Sequence, residues 1–572
     1  MTQNILVQKG MDVPQAQIQA RKTSHPQPRQ TEAQTQGKLV FDRDRSRYLQ
    51  EGFWAAMYDE IGDLKYTLES EPRLSKDFFL FPNIDHDRTL SRAHPPILEG
   101  DFLIQTYIDK VDPFVRILHK PTLLRDLNHF RRGILPDAHE FECGLFAVYA
   151  LALLPLCSTV VEYRLHEPKA ALLSKYRSYV EHGLSRLNLT TTQSLSTLRT
   201  FVLYITLLFW TGEMLHVSTL LAVAFTIARR MGFNRDGTHF PISHWQTELR
   251  RRLWHHLVLL DAWCVENHGL QPTIHSGESD VCLPLNCNDS SWDTSEFASS
   301  RPDVQAGAFT EMTPALVQYE LSALATFVLA HPYTPATSVR DYLDLQSEVV
   351  RQARQRLEIA YLRTLDEGNI LQRLTRDLHD HAFRRIALMQ LAPIMSAKGL
   401  DERERVGLEA KLYQLAIDYC KMSNHLTEFY TPHSLDWVIV RAFSWHSVAT
   451  LLSMVLRHEA LSNSLEARAA RYRIERLFRN RPSVDFLAVN DNLWQPLQKL
   501  RDELAARESS VLTPGRYELF GSEDAADAVS VTSTTIDPSL FGPVDEGLPH
   551  IEGWGDGAVT DSFVLDAFAE KF

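Results

Sequence analysis

Asp377 and His381 lie one helical turn apart, with His379 and Asp380 between them, and side chains four residues apart share a helix face. That is the spacing from which a divalent-metal site can begin. Arg373, Arg376, Arg384 and Arg385 surround the pair, which favours a charged helix face over a metal centre. His255 and His256 are adjacent, and adjacent helical residues project about 100° apart, so they do not converge on one ion and read as core or edge histidines. Cys282 and Cys287, in DVCLPLNCND, offer half the donors of a zinc site, with no second half following. Ordinary thiols are the expectation there. The run Gly553–Trp554–Gly555–Asp556–Gly557 has no preceding strand or following helix to make a dinucleotide turn. The sequence contains no G-x-x-x-x-G-K-[ST], H-E-x-x-H, G-x-S-x-G or D-D-x-x-D pattern. We therefore assign no catalytic, cofactor-binding or metal-ligating residue, and expect neither a cofactor nor an enzyme.

The elements that must carry these residues are helical. The chain has 572 residues, 44% apolar and 23% charged, which excludes a collagen-like, disulfide-scaffold or wholly disordered protein. Its 24 glycines fall below the roughly 7% average, fewer than turn-dense β folds or phosphate-loop folds usually need. From about Tyr48 to about Ser509 apolar residues return every three or four positions, with no evident sheet and no regular repeat. The best-defined helix is Ser243–Leu270, where Ser243 and Gln246 make a capping box and Gly269 with Gln271–Pro272 ends it. Leu249, Leu253, Leu257 and Leu260 form its apolar stripe, opposite Glu248, Arg251 and His255. Similar runs are predicted at Leu198–Phe209, Val217–Met231, Leu345–Leu365, Asn369–Leu391, Val406–Leu426, Trp437–Leu456 and Leu465–Phe478. Cys143–Val161 is uncharged over 19 residues, but Pro155 interrupts it and its flanks lack a Lys/Arg bias. It reads as a buried central helix, and no membrane association is expected.

Charge is uneven. Residues 1–47 carry +4, residues 509–572 carry −10, and the body between carries −7. An acidic body gives no electrostatic case for gripping nucleic acid by itself. Residues 1–45, rich in Gln, Pro, Thr and Ser, are expected to form a disordered basic head; Arg21, Lys22, Arg43, Arg45 and Arg47 are its small clusters. Six scattered cysteines, with no C-x-x-C spacing, point to a reducing compartment. The opening MTQNILVQKGMDVPQ lacks a signal-peptide pattern, so cytosol or nucleus is expected.

Three stretches together resemble the fungal-specific transcription factor domain, the middle homology region of many fungal regulators. Ser46–Lys65, SRYLQEGFWAAMYDEIGDLK, is similar to the segment many members carry just before the domain. Asp101–Thr122 resembles its opening motif through Val111, Pro113, Phe114, Ile117, His119, Pro121 and Thr122. In Ala224–Leu285, IARRMGFNRD, ELRRRLWHHLVLLDAW and GLQPTIHSGESDVCLPL follow in the family's order. The likeness covers 46–290, and the helical remainder to 509 is compatible with it. It implies an all-α domain over 46–509 between the head 1–45 and a tail 510–572, in which His119, Pro121, Arg251, Trp254, Asp261 and Pro272 are structural and make no DNA contact.

The resemblance also implies a nuclear regulator of transcription, often of one pathway, including secondary-metabolite gene clusters. Its implied partners are coactivators or the transcription machinery, DNA directly or through a partner, and a second chain in a homo- or heterodimer. The family's DNA reader needs six thiolates within roughly thirty residues. No cysteine precedes Cys143, so the sequence as given is expected to lack that reader, through descent, a trimmed start, or action through a DNA-bound partner. In the acidic tail, Phe541, Trp554, Phe563, Val564, Phe568 and Phe572 are set among Asp and Glu, the composition of activation segments. Val564, Phe568 and Phe572 would share one face of an induced helix in a coactivator groove. A helical adaptor or corepressor partnering a zinc-cluster factor is the alternative, and an all-helical enzyme the third class. The helical domain also offers room for a small effector between helices, although no residue identifies its site.

Overall fold

The computed structural model describes residues 38–42, 45–49, 93–457 apart from short loop gaps (188, 241, 269–271, 275–277, 293–301, 303–306, 335–336, 396–399 and 443–444), 472, 474–475 and 494–511. The tail positions Phe541, Trp554, Phe563, Val564, Phe568 and Phe572, the glycine run at 553–557 and the activation-like reading built on the tail lie outside these residues, as do most of the head and of Ser46–Lys65.

The fold is all-α. Lys38–Asp42 (β1) and Arg45–Leu49 (β2) pair antiparallel, from Lys38 opposite Leu49 to Asp42 opposite Arg45, and are the strands among the described residues. This hairpin is the exception to the helix-only pattern of the sequence. Two five-residue runs are too short to stand out by periodicity, although Val, Phe and Tyr favour extended backbone.

The helices begin with Ile97–Thr106 (α1), which runs through a π-helical turn at Tyr107–Val111 into Asp112–Val115 (α2). Lys120–Arg131 (α3), Ala138–Ala152 (α4), Ser158–Leu165 (α5), Lys169–Arg186 (α6), Leu195–Trp210 (α7) and Met214–Arg230 (α8) follow. Then come His244–His268 (α9), Thr313–Ala330 (α10), Val339–Leu357 (α11), Ile370–Met395 (α12) and Glu402–Tyr430 (α13). Asp436–Ala442 (α14), Trp445–Arg457 (α15) and Trp494–Val511 (α16) complete the set. Packing is largely serial: α4 lies on α6 and α7, and contacts then run α7–α8–α9–α10–α12–α13–α15–α16.

Among the described residues three larger apolar cores and two small clusters result. The largest is built around α4, α6, α7 and α8; Cys143 and Leu145–Leu154 are buried in it, so the uncharged run is a central helix ending before Pro155. No helix among the described residues is long and apolar enough to cross a membrane. Gly183 on α6 lets that helix close on α4, since a Cβ there would come within 2.5 Å of the Cys143 sulfur. A second core joins α11–α13, α15 and α16, and a third joins α10–α12. Helix α14 returns the chain to the first core: Trp437 meets Trp210 edge-on at 4.8 Å and Phe114 at 5.9 Å.

Helix α9 starts at the predicted capping box: Gln246 N–H donates to Ser243 Oγ at 3.1 Å, and Ser243 N–H to Gln246 Oε1 at 3.3 Å. The face opposite the leucine stripe is packed too. Glu248, Arg251 and Arg252 are buried alongside Leu253, Trp254, Leu257 and Leu260. The helix is enclosed on both sides because its charges pair inside the protein.

Candidate functional site

Where α2, α3, α9 and the loop 282–292 meet, the chain buries an ionic junction centred on Asp289. Its Oδ1 lies 2.8 Å from Arg252 Nη1 and 2.9 Å from Arg116 Nη2; its Oδ2 accepts from Lys120 N–H at 2.9 Å. The Asp289 N–H donates to Glu311 Oε2 at 3.0 Å, and its carbonyl lies 3.0 Å from His119 Nε2. Arg116 also pairs with Asp112 and with Glu311 Oε2 at 2.9 Å, and Lys120 Nζ donates to Glu311 Oε1 at 2.8 Å. Glu248 closes the far side, accepting from Arg252 Nε at 2.9 Å and from Leu285 N–H at 3.1 Å. Arg116 and Arg252 are fully enclosed. Burial favours a neutral Asp289, yet Arg252 and Arg116 outweigh it and hold the carboxyl below its ordinary range. Arg116 has left-handed backbone, φ 49°, where α2 ends. A non-glycine residue persists there when its surroundings over-determine it, as three carboxylates do.

The residues marked by the resemblance stand around this junction. His119 precedes α3, with Pro121 in its first turn; a neutral His119 donating through Nε2 to the Asp289 carbonyl can accept from Thr122 Oγ1 at Nδ1, 2.8 Å away. Burial lowers its pKa, in keeping with that tautomer. Arg251 forks onto Asp236, 2.8 Å from Nε to Oδ2 and from Nη2 to Oδ1. Asp236 also accepts from Thr238 N–H and Cys282 N–H, and these bonds outweigh burial and keep its pKa well below normal. Trp254 is buried edge-on against Phe225, 5.6 Å between centroids. Asp261 accepts from Thr273 N–H at 2.7 Å and Thr273 Oγ1 at 2.6 Å, just after the half-buried Pro272. The three α9 residues thus reach three different elements.

The other candidates do not assemble. Asp377 accepts from Tyr430 Oη at 2.6 Å, whereas His381 Nε2 meets Ser423 Oγ at 2.8 Å. His256 Nε2 meets Thr206 Oγ1 at 2.9 Å, and His255 reaches the Cys282 carbonyl at 3.1 Å. Burial pushes His255 down to about 4 and His256 down to about 3. Cys282 is exposed and Cys287 buried, both as free thiols. Among the described residues, no three His, Cys, Asp or Glu side chains converge as a metal site would require.

A second feature escaped the sequence reading. A cavity open to solvent lies where the first and third cores meet. Phe114, Trp210, Trp263 and Val438 line one side; α10 supplies Val317, Gln318, Leu321 and Ser322, and α12 supplies Thr375, His381, Ala382 and Arg385. Ser322 and Thr375 donate their hydroxyl protons to carbonyls of their own helices. His381 is held neutral by burial. Arg385 is the one charged lining residue, and its Nε lies 3.1 Å from Glu266 Oε1. Burial raises the pKa of Glu266, with Arg385 opposing. Neither Arg385 nor Gln318 looks unusual in a helical pattern, so only the packing exposes them as lining groups.

Residues 104–361 match the family model of the fungal specific transcription factor domain. The ionic junction lies wholly inside that match, while the α12 wall of the cavity lies beyond it. Similar curated proteins include the C6 finger domain transcription factor hasF of Aspergillus fumigatus, 32% identical over 317 residues, covering 49% of this chain and 41% of that protein. The C6 finger domain transcription factor adaR of Aspergillus niger is 29% identical over 293 residues, 47% of this chain and 37% of its own length. The pyriculol/pyriculariol biosynthesis cluster transcription factor 1 of Pyricularia oryzae is 25% identical over 314 residues, 52% and 41% respectively. The chain thus spans about two fifths of each of these relatives.

Proposed function

We propose that this chain, which carries a fungal specific transcription factor domain at residues 104–361, is a nuclear, pathway-specific regulator of transcription and controls a secondary-metabolite gene cluster. The observation that carries the reading is the family match, with relatives named as transcription factors, one of them for a biosynthesis cluster. The ionic junction supports a mechanical role: it locks the opening motif, α9 and the 282–292 loop into one rigid platform. A rigid platform can pass a signal from one face to another, whereas enzymatic turnover needs a convergent set of reactive groups.

The platform does not itself grip DNA. Arg116, Arg251 and Arg252 are spent on carboxylates, and the body is net acidic. Contact with promoters is made outside the platform, by other parts of the polypeptide or by a partner. Residues 509–572, acidic and studded with aromatics, recruit a coactivator.

Chromatin immunoprecipitation of the tagged full chain tests this. Enrichment at the promoters of a small set of genes is expected; uniform recovery across the genome contradicts it. Fusing residues 509–572 to a heterologous DNA-binding domain should activate a reporter, and a silent fusion removes the activating role from the tail.

A further inference from the structure

We propose that the cavity between α7, α9, α10 and α12 is a receptor site for a small planar aromatic molecule bearing acceptor oxygens, such as an aromatic hydroxy acid. The inference goes beyond the transcriptional reading and rests on the cavity alone.

One side is aromatic. Trp210 and Trp263 stand 5.9 Å apart at 75°, with Phe114 beside them, so a flat ring entering the space meets aromatic edges and faces at stacking distance. An aliphatic chain would gain apolar contact there but not the ring-to-ring geometry. The α10 and α12 lining supplies polar groups. Arg385 faces Glu266 as its ion-pair partner, 3.1 Å from Nε, yet that enclosed Nε has no hydrogen-bond partner among the described residues. A guanidinium so placed fits a carboxylate or a pair of carbonyl and phenolic oxygens in a two-pronged contact. Gln318, on α10, lines the same cavity and adds an amide donor. The ring is thus selected by Trp210 and Trp263, and the oxygens by Arg385 with Gln318.

The location gives binding a consequence. The walls belong to the first and third cores, so an occupant bridges them, and any molecule that binds only the folded protein stabilises that joint.

Calorimetric titration of the full chain tests the site with three probes. 1-Hydroxy-2-naphthoate has rings and acceptor oxygens, decanoate has the charge without rings, and 1-naphthylmethylamine has rings with the opposite charge. Saturable one-to-one binding of the naphthoate is expected, with Kd on the order of 10–100 μM and both other probes at least about tenfold weaker. Arg385→Gln should weaken the naphthoate about tenfold or more, and Gln318→Ala by a smaller factor. Ser322→Phe, which fills the space, should abolish binding; thermal melting establishes that each variant is folded. No saturable binding to the natural chain overturns the proposal, as does decanoate binding equally well or naphthoate binding that survives Arg385→Gln and Ser322→Phe. None of these outcomes bears on promoter occupancy, so failure of the receptor site and failure of the transcriptional reading are separable.

Discussion

The ionic junction and the cavity wall both bury arginine beside carboxylate, and they use it in opposite ways. Around Asp289 each charge meets an opposite one: Arg116, Arg252 and Lys120 face Asp112, Glu248, Asp289 and Glu311, and the backbone N–H groups of Lys120 and Leu285 add two donors, while Asp112 Oδ1, Arg116 Nε and Arg252 Nη2 have no hydrogen-bond partner among the described residues. At the cavity, Arg385 has Glu266 for a counter-charge, and its Nε has no hydrogen-bond partner among the described residues. The first arrangement ties segments far apart in the chain through three cations and four carboxylates. The second borders a cavity. The two sites therefore differ in how many opposite charges each arginine meets and in whether a cavity adjoins it.

The comparison can be broken most forcefully at the junction. Asp289→Ala leaves two enclosed guanidinium groups facing each other, and should destabilise the domain by about 3–5 kcal/mol in denaturant titration. A loss under about 1 kcal/mol would make the junction decorative. Because the pKa of Asp289 is lowered in the folded state, its contribution should be present above the unfolded carboxylate range and vanish as pH falls through its folded value.

Arg385→Gln should cost less, about 1–2 kcal/mol at neutral pH. The pKa of Glu266 is raised by burial, so its stabilising influence is full below the unfolded value and is lost as pH rises through the folded one. Without Arg385 the carboxyl can take up a proton, and the cost of the substitution should shrink on mild acidification, at pH values where Asp289→Ala is still fully destabilising. Identical pH profiles for the two variants would erase the distinction drawn here.

The histidines of α9 give a third contrast. His256 is pushed down to about 3, so the unfolded chain binds its proton first and stability falls as pH drops from 6.5 towards that value. His256→Leu should remove up to one proton from the acid-side slope, about 1.4 kcal/mol per pH unit, in stability measured between pH 6 and 4. The smallest effect belongs to the exposed start of the same helix. Ser243→Ala removes one half of the capping box and should cost about 1 kcal/mol.

What the sequence made legible follows from the range of the interactions. The cap of α9 is a three-residue relation, and the uncharged run at 143–161 announces a buried helix by composition. Both are local. The order of the motifs was legible too, but the bonds that give it meaning were not. Asp289 lies 170 residues from His119, and Glu311 lies 195 from Arg116, so no periodicity links them. The spacing on α9 sets Glu248 and Arg251 opposite the leucine stripe, but amphipathic spacing does not name their partners; Asp236 and Asp289 were the missing information. The cavity was invisible for a similar reason. Trp210, Trp263, Ser322 and Arg385 each fit an ordinary helix, and only the packing of four helices brings them to one space.

The central claim is that the ordered domain is a charge-locked platform through which this chain controls the expression of other genes. Transcript profiling of a strain lacking the gene, complemented with either the natural chain or Asp289→Ala, tests it most directly. The account predicts that a confined set of transcripts falls on deletion, returns with the natural chain, and stays low with the variant. An unchanged transcript profile on deletion would contradict it.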